Sequence, residues 1–456
     1  MDRWFYAEGN GRVAGIESMK VLVLSHSSIY PPIGGAPLAI YNSCVELSKT
    51  HEVNVLSWGG AKSYAITLSS NLRVQHIQSK GARQLSSDTF WNPGIANLSK
   101  QLLAGFRATL FQTLLDKGPT LEAVAQMVGP KYDVILHEGP DGSPLGAQLA
   151  NRFNAEYVQR PLWVGPPVSL LNFETWVSYS GLNNPLSNRI SAAASKLVDA
   201  ELLRFELARL TARNLITVTP QDSKILHEAF SKRYIRSLAM PLDIDVAPKS
   251  HLEGDEGKVL AKLVPDNKYI LYYSTVHRNA PLVLSYLDKV IKGSDNLILV
   301  VLGMSPKDLG IRLNNSDRIR IPGYVGPKEF KAITLGASCI TLPVFSRHGI
   351  STKLIPGLRC GRAVVTTSPA SEAYPQLVPG RDLLVHDTPD AFAAAVGRLI
   401  ADPGFAEEVG NNGKMAYETY YSNRSYASSM NEYLHQVTSR SSPNDESYDS
   451  SVEARR

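Results

Sequence analysis

Short β-branched runs, each closed by a turn and most followed by a helical stretch, recur along this chain and limit what it can fold into. Lys20–Ser25 reads KVLVLS, Glu52–Ser57 EVNVLS, Lys131–His137 KYDVILH and Leu215–Thr219 LITVT. Such near-continuous apolar runs are the mark of strands buried on both faces of a parallel sheet. Leu72–Ile77 and Ala155–Gln159 extend this first series. A second begins with YILYYS at Tyr269–Ser274 and continues through LILVVLG at Leu297–Gly303, RIRIP at Arg318–Pro322, CITLP at Cys339–Pro343 and Ala363–Thr367. Helices are predicted at Ala36–Lys49, Asn97–Leu115, Ser191–Thr211, Ser223–Phe230, Glu329–Leu335, Asp390–Ala401 and Phe405–Ser422. A polar stretch from Met240-Pro241 to Lys258 separates the two series. The 456 residues therefore divide into an extension (1–18), a first α/β domain (19–240), a linker (241–258), a second α/β domain (259–436) and a Ser- and charge-rich tail (437–456) expected to be disordered. The last helix is free to return to the first domain. A site is expected in the cleft between the two.

In open parallel sheets ligands bind beyond the carboxyl ends of the strands. Three such places carry suggestive residues. The loop SSIYPPIGG after the first strand ends in Gly34 and Gly35, where backbone can approach a ligand without a Cβ in the way. It is not GxGxxG, and it reads equally as a plain turn. The strand at Lys131–His137 runs into His137-Glu138-Gly139-Pro140, where His137 is either a general base or sugar ligand, or a histidine bonded to its own loop. The stretch from Arg347 to Thr367 reads as turn, helix, turn and strand, with Gly349, Ser351 and Thr352 at the helix start and Lys353 in its first turn. Free N–H groups and a lysine there suit phosphate, although an ordinary crossover has the same outline.

The net charge of +5 is scattered, which argues against nucleic acid and leaves room for anionic ligands or an anionic membrane face. Cys44, Cys339 and Cys360 form no metal-type spacing, consistent with a reducing compartment. No run of about 18 apolar residues suggests a membrane span, and the first 18 residues lack the apolar centre of a signal peptide. Arg160–Tyr179 is unusually apolar for a loop, with Trp163, Leu170, Leu171, Phe173 and Trp176. It either packs down or meets something greasy.

Three segments together, MKVLVLSHSSIYPPIGGAP, GYVGPKEFKAITLGASCITLP and HGISTKLIPGLRCGRAVVTTSPASEA, resemble the GT-B-fold nucleotide-sugar glycosyltransferases, most similar to the large retaining family four (glycosyl transferases group one). The resemblance covers Met19 to Leu434. It implies two Rossmann-like domains facing across a cleft, with the donor on the second and the acceptor on the first. It implies that Arg278 clamps the donor diphosphate, with Lys353 sharing the task in place of a lysine the family carries shortly after that arginine. Ser274, His348, Gly349, Ile350, Ser351 and Thr352 fall on the donor side. Gly34 and Gly35 match the glycine loop facing the phosphates, and Tyr324 and Val325 the loop against the base.

The chain also departs from that pattern. The two family glutamates fall where this sequence has His348 and Pro356, so Glu372 is the candidate for the ribose hydroxyls. The histidine position after the strand at Ala155–Gln159 holds Gln159-Arg160, leaving His137 as the nearest substitute. The expectation is a cytoplasmic hexosyltransferase, with a nucleotide diphosphate sugar as co-substrate, no metal or other cofactor, and a glycan or lipid-linked acceptor near the inner membrane face. A non-catalytic homologue or subunit and a sugar-nucleotide epimerase are the alternatives.

Overall fold

The structure is a computed structural model that describes residues 17–26, 28–32, 35–59, 62–78, 120–129, 131–138, 145–161, 207, 210–230, 233–238, 240, 268–274, 280–293, 297–303, 316–323, 325–345 and 350–439. Two sheets organise them. The first contains β1 (Lys20–Ser25), β2 (Glu52–Gly59), β3 (Tyr64–Ser69), β4 (Leu72–Gln78), β5 (Val134–Glu138), β6 (Glu156–Arg160), β7 (Asn214–Thr217) and β8 (Tyr234–Ser237) in the order β3-β4-β2-β1-β5-β6-β7-β8. All neighbours pair in parallel except β3, an antiparallel edge strand on β4. Chain order reverses between β1 and β5, so the crevice of this sheet opens beside Ser25 and Glu138, which pair in register.

Alternation along β1 sends its side chains into two cores. Val21 and Val23 join the core containing Ile40, Cys44 and Leu47 of α1 (Gly35–Ser48). Leu22 and Leu24 join Val124 of α2 (Leu121–Val128) and Leu145 and Leu149 of α3 (Leu145–Phe153) on the opposite face. The sheet is covered on both sides, which is why its strands are apolar throughout. Beyond it, α4 (Pro220–Ala229) follows β7, with Thr219 capping and Pro220 at its first position.

The second sheet is entirely parallel: β9 (Tyr269–Tyr273), β10 (Ile298–Leu302), β11 (Ile319–Gly323), β12 (Cys339–Leu342), β13 (Val364–Thr366) and β14 (Leu384–Val385), in the order β11-β10-β9-β12-β13-β14. Its reversal lies between β9 and β12. The helices are α5 (Ala280–Lys292), α6 (Pro327–Gly336), α7 (Leu354–Arg359), α8 (Ser368–Glu372), α9 (Pro389–Ala401), α10 (Pro403–Tyr420) and α11 (Asn423–Ser439). Gly357 lets α7 press onto the sheet, since a Cβ there would lie 2.9 Å from Val364 Cγ2. Gly361, at φ +63°, turns the chain from α7 into β13.

After α10 the chain crosses back, and α11 lies against the first sheet's side of the molecule. Asn423 reaches Glu46 at 3.2 Å, the Tyr426 hydroxyl bonds Ser43 Oγ, and Asn431 meets His51 Nε2 at 2.9 Å. The helix runs to Ser439 with Val437 buried, so residues 437–439 are helical where a disordered tail was expected: hydrophobic seating of Val437 outweighs the serine-rich composition around it. Several expected features, the helix at Asn97–Leu115, most of Ser191–Thr211, the linker 241–258 and residues 162–179 of the apolar loop, lie outside the described residues.

Candidate functional site

A cavity of about 270 Å³ lies between the β7–β8 edge of the first sheet and segments of the second domain. Val218 and Pro220 after β7, and Ser237 and Leu238 at the end of β8, form one wall. Ala373, Pro375 and Gln376 after α8 form another, and Tyr420, Tyr421 and Tyr426 at the α10–α11 crossing close it.

At the crevice of the second sheet, β12 ends at Leu342 and the chain loops to α7. Thr367, after β13, accepts from the Val344 N–H at 2.9 Å and donates back to the Val344 carbonyl. At the far end of the loop, the Tyr273 hydroxyl donates to the Lys353 carbonyl at 2.6 Å and the Tyr374 hydroxyl to the Ser351 carbonyl at 2.9 Å. Ile350, Ser351, Thr352 and Lys353 are half-buried there. The Lys353 ammonium is pulled below its ordinary pKa by burial, the one influence resolved on it.

The helix start differs from expectation. α7 has six residues beginning at Leu354, so Lys353 is its N-cap, in the αR region, and Ser351 and Thr352 belong to the preceding turn. The four-residue turn into β13 ends the helix early, and its dipole adds little. Pro356 is buried inside α7.

Ser274 closes β9 and is buried, with its N–H on the Leu302 carbonyl at 3.1 Å. Val325 is half-buried against the core before α6. Glu372 ends α8 exposed to solvent. Gly35 opens α1 at the first sheet's crevice. Arg278, Gly34, Tyr324, His348 and Gly349 lie outside the described residues. Thus Ser274, Ile350, Ser351, Thr352, Lys353 and Glu372 gather at the carboxyl edge of the second sheet, and Gly35 at that of the first.

His137 does not reach the gap. It points to the α2–α3 face of β5, fully buried, with Nδ1 and the Tyr157 hydroxyl 3.1 Å apart and its ring 6.3 Å from that of Trp58. It sits among core aromatics, because alternation along β5 sends it opposite to Glu138. Gln159 is structural too: its Oε1 accepts from the Thr211 and Ala212 N–H groups at 2.7 and 2.8 Å.

The sequence reading missed a buried cluster at the first crevice. Arg160 donates through Nε to Glu138 at 2.8 Å and through Nη2 to the other Glu138 oxygen, with Nη2 also 2.9 Å from Ser43 Oγ and Nη1 2.6 Å from the Tyr426 hydroxyl. Burial pushes the Glu138 carboxyl up, and the Arg160 charge opposes that rise. The available signal was two oppositely charged residues ending what read as neighbouring apolar strands.

Two α/β domains of Rossmann type, meeting across a gap at the carboxyl ends of their sheets, define the GT-B fold. Residues 267–402, within the second domain of this GT-B fold, match the sequence profile of the family described as Glycosyl transferases group 1. Sucrose-phosphate synthase from Thermosynechococcus elongatus superposes with a TM-score of 0.62 at 16% identity, over 92% of this chain and 99% of that one. A UDP-forming α,α-trehalose-phosphate synthase from Burkholderia xenovorans gives 0.61 at 12%, over 92% and 99%. Anabaena HepE, solved with UDP and glucose, gives 0.57 at 12%, over 91% and 100%. No curated protein sequence matches the chain.

Proposed function

We propose that the protein transfers a hexose from a nucleoside diphosphate sugar to an acceptor hydroxyl, with the donor diphosphate on the turn Ser351–Lys353. The observation that carries this reading is the half-buried turn Ser351–Lys353, tied at its Lys353 carbonyl to Tyr273 at the end of β9 and bearing a lysine beside a helix start. Support comes from similar structures: Anabaena HepE, solved with UDP and with UDP and glucose, and a UDP-forming trehalose-phosphate synthase. In the reaction the bond from the anomeric carbon to the diphosphate oxygen breaks and one to the acceptor oxygen forms. The leaving diphosphate gains charge, and fixed cations at Lys353 and Arg278 stabilise it. With retention, as the family resemblance suggests, that diphosphate takes the acceptor proton. Glu372 serves the ribose, and Gly34 and Gly35 face the phosphates from the other domain. No metal or further cofactor enters this scheme.

The acceptor in this reading is a lipid-linked or membrane-proximal glycan met at the cytoplasmic membrane face. It rests on the net charge of +5 and on the sequence around Trp163 and Trp176; no described helix is long and apolar enough to cross a membrane. Liposome binding that is lost in the double variant Trp163→Ala, Trp176→Ala supports it. Binding unchanged by that variant, or absent altogether, overturns it.

A second reading, a nucleotide-sugar-binding homologue without turnover, is favoured by His348 and Pro356 at the glutamate positions, with Pro356 buried. Incubation with UDP- and GDP-sugars separates the two. Slow release of free sugar, abolished in Lys353→Ala, supports the transferase. Binding without turnover supports the homologue, and a changed sugar would indicate an epimerase.

A further inference from the structure

We propose that Tyr273 and Tyr374 are positioning residues for the donor turn, acting through the backbone and never touching the ligand; this rests on the donor reading above. Both side chains are buried, and they approach the turn from different elements: Tyr273 from the end of β9, Tyr374 from the segment after α8. Each phenol donates to a carbonyl of the turn, Tyr273 to Lys353 at 2.6 Å and Tyr374 to Ser351 at 2.9 Å. The Ser351 carbonyl also accepts from the Leu354 N–H at 3.3 Å, closing the turn on itself.

The consequence follows from peptide geometry. In a trans peptide the C=O and N–H point in opposite directions. Holding the Ser351 carbonyl inward on Tyr374 turns the Thr352 N–H the other way. Holding the Lys353 carbonyl on Tyr273 pins the residue whose ammonium meets the diphosphate. The tyrosines are themselves rigid. Tyr273 packs edge-on against Phe330 of α6 with ring centroids 5.1 Å apart, and Tyr374 against Tyr421 at 5.0 Å. Tyr421 in turn accepts from the Gln376 N–H at 3.1 Å, beside the crossing into α11. The turn is thus preset by the second domain's core before a donor arrives, which lowers the ordering cost of binding.

The experiment compares Tyr273→Phe and Tyr374→Phe with Tyr269→Phe. Tyr269 is a matched control: it lies on the same strand, is buried, and donates to the Ile333 carbonyl at 2.6 Å on α6, away from the turn. All three variants lose a phenol-to-carbonyl hydrogen bond and keep the ring, and cooperative thermal unfolding verifies the fold. Calorimetric titration with UDP, with GDP and ADP alongside, reads diphosphate affinity; KM for the donor is read against kcat. Tyr273→Phe and Tyr374→Phe should weaken the bound diphosphate about three- to tenfold and raise donor KM more than they lower kcat. Tyr269→Phe should bind as the unaltered protein does. Equal affinity in all four proteins, or the same loss in Tyr269→Phe, overturns the inference. Failure of the unaltered protein to bind any of the three diphosphates overturns the donor reading itself, and the inference with it.

Discussion

Arg160 and Glu138 end adjacent strands in register, and their side chains form a two-point ion pair in the interior of the first domain. Two further donors of Arg160 go to Ser43 on α1 and Tyr426 on α11. One guanidinium therefore ties two strands, the first helix and the returning last helix. A buried charge pair is costly to desolvate, and such a pair persists where its donors and acceptors find partners, as four of the five guanidinium N–H groups do here.

Breaking that pair from one side should be severe. Arg160→Met leaves the Glu138 carboxylate buried without its cation and should lower unfolding stability by about 3–5 kcal/mol. Replacing both, as Glu138→Leu with Arg160→Met, should recover most of the loss, since neither charge is then stranded. Chemical denaturation of the three proteins checks this; a double variant as unstable as Arg160→Met would show that α11 depends on the guanidinium itself.

Strands were legible in the sequence where both faces are buried. KVLVLS, YILYYS and LILVVLG carry their burial in their composition. β3 was not, because an antiparallel edge strand with alternating half-buried and exposed residues, YAITLS, lacks a continuous apolar run. α3 was not, because its buried face includes Gly146 and Ala150, small residues that carry little apolar signal. At the site, the turn Ser351–Lys353 was recognisable from local residues. The Arg160–Glu138 pair and the interior position of His137 were not, because they depend on register between strands and on which face alternation assigns, and those are settled by tertiary packing.

His51 should make the seating of α11 sensitive to acid. Its Nδ1 accepts from the Met19 N–H at 3.1 Å, which places the ring proton on Nε2, facing Asn431 Oδ1 at 2.9 Å. Burial lowers its pKa below the ordinary 6.5; the bond to Asn431 and the charge of Asp133 oppose that, and His435 reinforces it. A folded value below the unfolded one means the unfolded chain binds more protons in between. The stability contributed by neutral His51 is complete above about pH 6.5 and is lost as pH falls through the folded value. Denaturation midpoints measured downward from neutral pH should fall, and His51→Gln should flatten that window. An unchanged slope in His51→Gln would remove His51 as the cause.

Two glycines in the second domain should respond to alanine with opposite signs. At Gly410 of α10 a Cβ would lie 2.3 Å from the Gly361 carbonyl oxygen, a backbone atom with nowhere to go. Gly410→Ala should therefore destabilise by about 1–3 kcal/mol. At Gly397 of α9 nothing lies within 4 Å of the added carbon. Gly397→Ala should stabilise by about 0.5–1 kcal/mol, the ordinary helix-interior gain. Melting temperatures of the two variants should move in opposite directions, and a shared direction would contradict the packing of α10 on the α7–β13 turn.

Lys353 should impose an alkaline limit on diphosphate binding. Burial holds its pKa below the ordinary lysine value. The bound diphosphate favours the protonated ammonium and raises that pKa again. As pH climbs through the value in the free protein, a growing fraction of molecules must take up a proton to bind, and affinity falls. Calorimetry in buffers of different ionisation enthalpy should show that uptake on the alkaline side. Lys353→Arg keeps its charge throughout, since a guanidinium stays protonated up to about pH 12. Its affinity for UDP, lower or not at neutral pH, should lose the alkaline decline. A decline that persists in Lys353→Arg would assign the titration to another group and remove Lys353 from contact with the diphosphate.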